Sequence, residues 1–536
     1  MPAVPWLAAR TGWPPEEATV TRLELLLPED IVQEYDYIVV GAGTAGCAVA
    51  ARLTQHAAVR VLLLEAGSPR RTRAMTVPSA WPGNLGSAAD WGDTSTGQSD
   101  AGPVAYPRGR TLGGSSSINA MAHVRGHRAV YDGWAAGGAT GWAFADLLPY
   151  FRRSERADGR DPALRGTDGP VRVGAAAADR HPVARAFVEA LTAAGYPFTD
   201  DLSGREQEGV AWIDLAIADG QRVSSADAYL RTVLDRPNLV VETDCLVTRL
   251  NIRHGRCTGV CYTRSGLWPA ESVSGEVILC AGAIGSPQIL MLSGIGPAEP
   301  LRAAGVEPVA DIAAVGANLQ DHPVVMASYA SSLPLLKSKY NNGEACAALR
   351  SELAGDYPDL HLFPILLPLA PAGCEPPVAG GYVLAAAVVA PDSRGTVRLA
   401  SPDPQVPPLI DPGFLTDGRD LARLETGLQL VRQIAADGPF TGVRKTEVWP
   451  GADVCTAAGL RAYIRQRVGS YYHPAGTCRM GRDTDPDAVV DLELRVRGIS
   501  GLRIADASVM PTIPNAHPNA TVLAIAERAA ELAGEH

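Results

Sequence analysis

Several features that would place a chain in a membrane, on nucleic acid or outside the cell are missing from these 536 residues. No apolar run approaches the roughly 20 residues that a transmembrane helix needs. The formal net charge of −11 offers no basic face to a nucleic acid. The first residues, Met1–Trp6, lack a basic segment followed by an apolar one. We therefore predict no secretory signal and a cytoplasmic protein.

Cysteines and aromatic residues are too scattered or too few for three further kinds of site. The nine cysteines are odd in number and no CxxC occurs, so we expect free thiols and no disulfide framework. Cys257 and Cys261 have no second ligand pair nearby, so no metal site is predicted. Aromatic residues make up only 6% of the chain, which gives no support for a large aromatic-stacking pocket.

The chain does have length enough for two or more structural units. Its 46% apolar and 20% charged residues are typical of a globular protein. Strand and helix patterns occur near both ends, whereas the middle carries proline-rich turns at 364–377 and 402–412. We therefore predict a second domain inserted between two ends that belong together, and a surface extension at 1–34.

A glycine-rich turn follows a short apolar strand near the start of the chain. The strand is predicted at Tyr35–Val40, and the turn has the pattern GxGxxG at 41–46, opening a helix of small residues. In such a turn Gly41 permits the tight bend, Gly43 lets the backbone approach a pyrophosphate, and Gly46 lets the helix lie close to the strand. The free N–H groups of the helix then face the phosphates.

A second strand and an acidic residue complete this unit. The apolar run Val59–Leu64 ends at Glu65, nineteen residues after Gly46. A carboxylate at this place accepts hydrogen bonds from ribose hydroxyls and disfavours a 2′-phosphate. Although chance glycine turns also match GxGxxG, the order of strand, turn, helix, strand and acid predicts a βαβ unit that binds FAD or NAD rather than NADP.

Three further motifs follow in order along the chain. They are Gly109–Asn119, Gly282–Gly296, and a C-terminal stretch, His473–Asn519, that includes Arg503–Ser508. Together with the N-terminal turn they resemble the glucose–methanol–choline (GMC) oxidoreductases, a family of FAD-dependent alcohol oxidases and dehydrogenases. The resemblance covers the chain from residue 35 onward and implies FAD as the cofactor.

The resemblance implies an α/β fold, α+β overall. It has a Rossmann-like FAD-binding domain and an inserted substrate domain of mixed sheet and helices. The FAD-binding domain is discontinuous and takes 35–152, 230–312 and 468–536. The substrate-binding cap domain takes 153–229 and 313–467.

The resemblance also implies which residues contact the cofactor. These are Gly41, Gly43, Thr44, Ala45, Gly46, Glu65, Ala66, Arg110, Gly113, Gly114, Ser115, Asn119, Ala120, Val247, Asp506, Ala507, Asn519 and Ala520. Val247 is equally well interpreted as an ordinary core valine. Some relatives carry a histidine bonded covalently to FAD in the Gly109–Asn119 loop, but this chain has Ile118 there, so we expect non-covalent FAD.

Two histidines are candidates for the chemistry. Alcohol oxidation removes a proton from oxygen and a hydride from carbon, and an imidazole with an ordinary pKa of about 6.5 is neutral enough at pH 7 to take the proton. Either histidine alone would more simply be a turn residue that satisfies backbone groups. By resemblance, His473 is the catalytic base, His517 is its partner, and the hydride passes to flavin N5.

Residues near these histidines are harder to interpret. Tyr471 and Tyr472 precede the base, and backbone alternation directs one of them at the substrate. We predict Tyr472, although both could equally be core residues. His123 either lines the cavity or belongs to the core. His322 lies in a proline-containing turn at the domain junction and is interpreted as structural.

The predicted reaction is oxidation of an alcohol, primary by default, to an aldehyde on a small polar molecule. Five acidic residues and one arginine between 340 and 380 give a net −4, which fits either a lid that favours an amino-bearing alcohol or a solvated acidic loop. A sugar or amino sugar is therefore a candidate substrate. The alternative function is a non-redox lyase similar to the hydroxynitrile lyases. We expect oxygen or another carrier as electron acceptor, and a monomer or small homo-oligomer.

Further elements are predicted from periodicity and from glycine and proline positions. The predicted strands are Leu239–Val241, Val247–Ile252, Glu276–Cys280, Thr396–Leu399 and Leu502–Asp506, and the predicted helices are Gly46–Leu53, Ser286–Leu292, Leu421–Ala436 and Thr521–Ala533.

Overall fold

The computed structural model describes residues 35–98, 100–176, 180–264, 270–334, 337–377, 380–436 and 438–534, without the side chains of 270–274. The predicted extension at 1–34 lies outside these ranges. The helices are α1 Thr44–Leu53, α2 Arg73–Thr76, α3 Arg128–Ala136, α4 Phe144–Ser154, α5 Pro182–Ala193, α6 Gly282–Leu292, α7 Ala298–Ala303, α8 Gly418–Ala436, α9 Ala457–Arg467 and α10 Asn519–Gly534.

The strands of the described ranges follow in chain order. They are β1 Tyr35–Val40, β2 Val61–Leu64, β3 Asp93–Gln98, β4 Gly102–Tyr106, β5 Glu155–Ala157, β6 Val171–Ala175, β7 Gly209–Trp212, β8 Asp214–Leu215, β9 Ile217–Ala218, β10 Gln221–Arg222, β11 Leu239–Glu242, β12 Leu246–Arg253, β13 Arg256–Thr263, β14 Ala270–Leu279, β15 Ile295–Gly296, β16 Ala310–Asp311, β17 Pro323–Ser331, β18 Ala345–Leu349, β19 Leu360–Ile365, β20 Gly381–Val388, β21 Thr396–Arg398, β22 Leu409–Asp411, β23 Arg444–Trp449, β24 Gly469–Ser470 and β25 Leu502–Ile504.

One large sheet is built around the N-terminal βαβ unit. Its order is β11-β2-β1-β14-β13-β12, with β25 beside β14. β1 pairs in parallel with both β2 and β14, so the predicted βαβ unit is confirmed. Strands buried on both faces are nearly continuous apolar runs, as β1 and β2 are.

The carboxyl ends of five parallel strands meet at one edge of this sheet. In the register Val40 lies beside both Leu64 and Leu279, Leu279 lies beside Ile504, and Glu242 lies beside Leu64. Open α/β sheets bind their ligands outside this edge, because the loops and helix N-termini that follow the strands converge there. The fingerprint turn, Glu65 and the predicted Asp506 contact are therefore brought together by strand register.

A second large sheet is antiparallel throughout. Its order is β23-β17-β20-β19-β18-β7, with β24 beside β17. Side chains alternate between the two faces of β20, and each face belongs to a different core. One face packs with α5, α8 and α9 and carries Tyr382, Leu384, Ala386 and Val388. The other face packs in the core that Tyr471 contacts and carries Val383, Ala385 and Ala387. The sheet thus separates its helices from the histidine-bearing segments and forms a roof above them.

The predicted elements occur close to their predicted bounds. β1 matches its prediction, the second strand starts at Val61 rather than Val59, and the strand predicted at Glu276–Cys280 extends back to Ala270. The strands of the first sheet fall in the predicted cofactor segments, and those of the second fall in the cap segments, except Gly469–Ser470. Since the described residues group into one compact unit, the division into domains stays a prediction.

Two expectations about whole-chain properties can be compared with the described residues. All nine cysteines lie in these ranges and are free, as expected. Among the described helices, none combines the length and the apolar character needed to cross a bilayer.

Candidate active site

The fingerprint turn requires glycine at 41 and 46, whereas a Cβ on Gly43 would meet nothing closer than 3.8 Å. Gly41 has φ +95°, a left-handed conformation that side chains disfavour. A Cβ on Gly46 would lie 1.8 Å from the carbonyl oxygen of Gly41, so only glycine lets α1 pack this close to the strand end. A Cβ on Gly114 would lie 2.7 Å from the Cα of Gly43. The two glycine-rich loops are therefore in backbone contact.

Glu65 joins the second strand to this turn. Its carboxylate accepts hydrogen bonds from the N–H groups of Ala42 (2.9 Å) and Gly67 (2.8 Å) and is 5% exposed. Burial raises the pKa of Glu65 to about 7, although both N–H groups act to lower it. The side chain thus fixes the turn and still lines the cavity described next.

One cavity of about 810 Å³ connects the fingerprint with the two candidate histidines. Its lining includes most of the predicted site residues: Gly41, Gly43, Thr44, Ala45, Glu65, Ala66, Arg110, Gly114, Ser115, Asn119, Ala120, Val247, Tyr472, His473, Asp506, Ala507, His517 and Asn519. Gly46, Gly113 and Ala520 do not line it. Gly46 packs the helix, and Gly113 donates its N–H to the carbonyl of Ala42 (2.7 Å).

The fingerprint end of the cavity fits FAD. The helices α1 and α10 both start at its wall, where Thr44 Oγ1 donates to Asn519 Oδ1 (3.0 Å), so two helix N-termini lie where a pyrophosphate would be bound. The contact between the glycines of the two loops leaves backbone, not side chains, next to this space. Asp506 accepts hydrogen bonds from Ser286 Oγ (2.5 Å) and the Gly282 N–H (2.8 Å), so it mainly holds the turn that opens α6.

Two of four clustered imidazoles, His473 and His517, line another part of the cavity, which we call the histidine end. The ring centroids of His473 and His517 are 5.2 Å apart, and His361 lies 6.0 Å from His517. Nδ1 of His322 lies 3.0 Å from Nδ1 of His473. The structure therefore brings the two predicted histidines together and adds one from a distant turn and one from a distant strand.

The segment before His473 is held by one buried carboxylate. Asp321 Oδ1 accepts the backbone N–H groups of His322 (2.7 Å) and His473 (2.9 Å), and Oδ2 accepts the hydroxyls of Tyr106 and Ser470. Burial raises the pKa of Asp321 to about 6, while these four donors act to lower it. Asp321 thus ties the turn after residue 318 to the segment that carries the base.

The imidazoles are held in their neutral form. Burial lowers the pKa of His517 to about 4 and that of His322 to about 3, and the neighbouring His517 adds to the effect on His322. Burial first, then His322, His517 and His361, lowers the pKa of His473 well below its ordinary value. A neutral imidazole has a free lone pair, so these rings are in the protonation state that a base needs.

Tyr471 rather than Tyr472 contacts both candidate histidines. Its hydroxyl lies 3.1 Å from Nε2 of His517, and its ring centroid is 4.4 Å from that of His473. It also stacks on Phe363 at 4.6 Å and an interplanar angle of 5°. Tyr472 does line the cavity, as predicted for one of the pair, with 43% of its surface exposed and φ +67°.

The roof over the histidine end comes from one face of the second sheet. The residues of that face that line the cavity are Val324, Met326, Cys346, Phe363 and Ile365. None of these side chains carries a charge. The low aromatic content had given no support for an aromatic pocket, yet one stacked pair, Phe363 and Tyr471, does line this part of the cavity.

The structure also bears on three other interpretations. His322 lies in the turn, as interpreted, and its ring also contacts His473 directly. For His123 the core alternative applies, because it does not line the cavity and its Nε2 lies 3.0 Å from Oε2 of the buried Glu155. The acidic residues at 340–380 do not line the cavity either: Glu344 accepts from Ser338 and Asp359 pairs with Arg423, both buried. The amino-sugar argument therefore loses its basis.

His361 and Phe363 could have been found in the sequence. They stand two residues apart in a short apolar run, and period-2 alternation places them on the same face of a strand. Nothing in the sequence shows which face of the sheet faces the cavity. Four histidines also raise the question of a metal, but within the described ranges no group of three or more His, Cys, Asp or Glu is arranged to hold one.

Comparisons with known proteins agree with this geometry. The GMC oxidoreductase family models match residues 35–324 and 391–526. Mouse mitochondrial choline dehydrogenase is 38% identical, over 94% of this chain and 90% of that protein, and oxygen-dependent choline dehydrogenase of Photobacterium profundum is 37% identical, over 93% and 92%. The crystal structure of pyridoxine 4-oxidase from Mesorbium loti superposes with a TM-score of 0.90 at 35% identity, covering 94% of this chain and 100% of that one.

These relatives are dehydrogenases and an oxidase, which leaves the lyase alternative without support. Family models cover more than half of the chain, and the matched relatives are covered almost completely. The chain belongs to the GMC oxidoreductase family and is an FAD-dependent oxidoreductase that acts on the CH–OH group of alcohols.

Proposed function

We propose that this enzyme oxidises an uncharged primary alcohol to its aldehyde, with His473 as the base and His517 as its partner. The observation that carries the proposal is the uncharged roof that faces these two imidazoles. A primary alcohol is favoured because a hydroxymethyl group reaches a base beneath a closed roof with the least crowding.

The roles of the residues follow from their contacts. FAD supplies, when bound, the acceptor for the hydride of the carbinol carbon. His473 accepts the hydroxyl proton, since its burial and its imidazole neighbours keep it neutral. His517 holds the substrate oxygen, and the Tyr471 hydroxyl, 3.1 Å from its Nε2, fixes the ring. The apolar roof excludes water from the reacting atoms.

FAD is held, in this proposal, by the fingerprint end of the cavity. The helix N-termini of α1 and α10 take the pyrophosphate, Glu65 accepts from the ribose, and Val247 contacts the adenine. Attachment is non-covalent, because Ile118 has no nucleophilic atom to offer the ring.

The substrate class is argued from charge. The choline dehydrogenases among the relatives act, by name, on an alcohol with a cationic head. A buried cation needs a carboxylate or open aromatic faces. The carboxylates of the lining belong to the fingerprint end or, like Asp93 with Arg108 (2.5 Å), are already paired. Phe363 and Tyr471 cover one face of each other. A flat, uncharged alcohol suits this roof better than choline, a sugar or an amino sugar.

An anaerobic screen by loss of the oxidised flavin absorbance tests the proposal. Benzyl alcohol, choline, a methyl glucoside and glucosamine represent the four classes at matched concentration. We expect benzyl alcohol to reduce the flavin at least about 10²-fold faster than choline, the effect of leaving a buried charge unpaired. Faster reduction by choline or glucosamine would overturn the uncharged class. Repeating the reaction with oxygen and with a dye then identifies the electron acceptor.

A further inference from the structure

His322 is a buried titratable residue that the proposed reaction leaves without a task. Its side chain is 0% exposed, and its ring stands at 89° to that of His473 with centroids 5.1 Å apart. The two Nδ1 atoms lie 3.0 Å apart, which is hydrogen-bonding distance. One of the two atoms must therefore carry a proton and the other must accept it.

The hydrogen bond links the protonation sites of the two rings. Both imidazoles are neutral at pH 7, because burial lowers the pKa of His322 to about 3 and that of His473 well below its ordinary value. A neutral imidazole carries its single proton on one nitrogen and a lone pair on the other. If Nδ1 of His473 is the donor, its Nε2 carries the lone pair that a base needs. If it is the acceptor, Nε2 is protonated and cannot act as a base.

The role of His473 decides between these arrangements. As a base it needs a lone pair on the nitrogen that does not face His322, and Nδ1 is the atom that faces His322 at 3.0 Å. His473 must therefore donate from Nδ1, and Nδ1 of His322 must accept. The proton of His322 is then on Nε2, which has no hydrogen-bond partner among the described residues.

Asp321 fixes the backbone positions of the same two residues. One oxygen, Oδ1, accepts the N–H groups of both His322 and His473, at 2.7 and 2.9 Å. The turn and the base segment are thus joined by two connections. One runs from the backbone N–H groups to the carboxylate of Asp321, and the other runs between the rings of His322 and His473. Rotation of the His473 ring would break the second connection while the first holds.

We propose that Asp321 and His322 are positioning residues that hold His473 as the Nδ1–H tautomer, with the bare Nε2 facing the substrate cavity. The proposal rests on the role of His473 as the base. It gives the turn at 318–323 a task in the reaction: this turn determines which nitrogen of the base can accept a proton. The role is comparable to that of the carboxylate that orients the histidine of a catalytic triad.

Three holoenzyme variants separate positioning from packing. His322→Asn keeps an oxygen that can accept from His473, whereas His322→Leu removes every acceptor. His181→Asn is the matched control, since His181 is buried, caps α5 and does not line the cavity. Anaerobic flavin reduction should fall about 10²-fold in His322→Leu, less than about tenfold in His322→Asn, and not at all in the control. FAD content and Tm report folding.

Nitrogen NMR of histidine-labelled wild-type holoenzyme gives a readout independent of activity. The His473 signal, assigned by its loss in His473→Ala, should show a protonated Nδ1 and an unprotonated Nε2. A protonated Nε2 would overturn the proposal, as would equal losses of rate in the Leu and Asn variants or no loss in either. Normal flavin reduction in His473→Ala would show that His473 is not the base, and the proposed function would fail. Normal reduction in the His322 variants together with an inactive His473→Ala would overturn only the positioning role.

Discussion

The two ends of the cavity are made by different means. The fingerprint end is built from consecutive backbone: 41–46 and 109–115 touch through glycines, and Glu65 bonds to the N–H groups of its neighbours. The histidine end is built from side chains of separate strands and turns, His322, His361, Phe363, Tyr471, His473 and His517. The fingerprint end binds the cofactor because its backbone fits closely around it. The histidine end takes part in the reaction because its imidazoles are in the neutral form.

This difference explains why the fingerprint end can be recognised from a sequence motif and the histidine end cannot. Backbone contacts need glycine at fixed spacing, so a short stretch of sequence is enough to predict the fingerprint end. A neutral imidazole needs burial and suitable neighbours, which only the packing of the second sheet supplies. If the two ends are as different as this, changes at one should affect cofactor content and changes at the other should affect rate.

The largest expected effect is at the histidine end. In His473→Ala, flavin reduction should fall about 10³-fold, within the range that general bases contribute, while FAD stays bound. Anaerobic stopped-flow absorbance measures the rate, and the flavin spectrum of the purified protein measures the content. Loss of FAD from this variant would break the comparison, because it would give His473 a role in holding the cofactor. Reduction at the wild-type rate would remove it as the base.

Adding a single methyl group at the fingerprint end should have the opposite effect: it should lower the FAD content of the protein. In Gly46→Ala, Cβ would lie 1.8 Å from Gly41 oxygen, and relieving this overlap should cost about 3 kcal/mol. We expect protein depleted of FAD and with a lower Tm, both measured after purification. Gly133→Ala is the matched control, since Gly133 also lies in a helix but nothing is within 4 Å of its added Cβ. A normal FAD content in Gly46→Ala would contradict the close-packing argument.

The pH dependence sharpens the contrast further. The lowered pKa of His473 keeps it neutral below pH 6.5, so protonation of the base should not slow flavin reduction as pH falls through 6.5. Asp321, whose pKa is raised to about 6, holds the base segment and should cause the first loss of rate, below about pH 6. The fingerprint end behaves otherwise. Protonation of Glu65, with its pKa of about 7, should weaken the rebinding of FAD to apoprotein as pH falls through neutrality.

Two measurements check this pair of expectations. Anaerobic reduction over a pH series should show no acid limb at pH 6.5, and a limb there that persists in Asp321→Asn would mean that His473 keeps its ordinary pKa. FAD titration of the apoprotein over the same series should show the acid weakening in wild type and not in Glu65→Gln, which cannot titrate. Identical curves for the two proteins would remove Glu65 from the explanation.

The smallest expected effect concerns the partner of the base. Tyr471→Phe keeps the ring on Phe363 but removes the hydroxyl near His517 Nε2, so kcat should fall less than about tenfold, the value of one hydrogen bond. Tyr472→Phe serves as comparison, because Tyr472 contacts neither histidine ring in the described residues. Steady-state kinetics with the best alcohol from the screen measures both. A larger loss in Tyr472→Phe would restore the original prediction that Tyr472 is the substrate residue.

Much of the fold could be predicted from sequence because its elements obey local rules. Tyr35–Val40 is apolar and stopped by glycine, and the structure places β1 at those bounds. The error at Ala270, where the strand starts earlier than predicted, has a tertiary cause: β14 continues past the apolar run to pair with β13. The domain division, the cytoplasmic location and the oligomeric state stay predictions.

The sequence by itself determined the family, the cofactor, and the turn that binds it. Glycines at fixed spacing and an acid at the end of the second strand leave few alternatives once three other motifs follow in order. Tertiary structure alone decided what surrounds His473. His322 and His361 lie 151 and 112 residues from it along the chain, and strand register and sheet packing bring them to it. A protonation state is a property of such surroundings, so no local pattern encodes it.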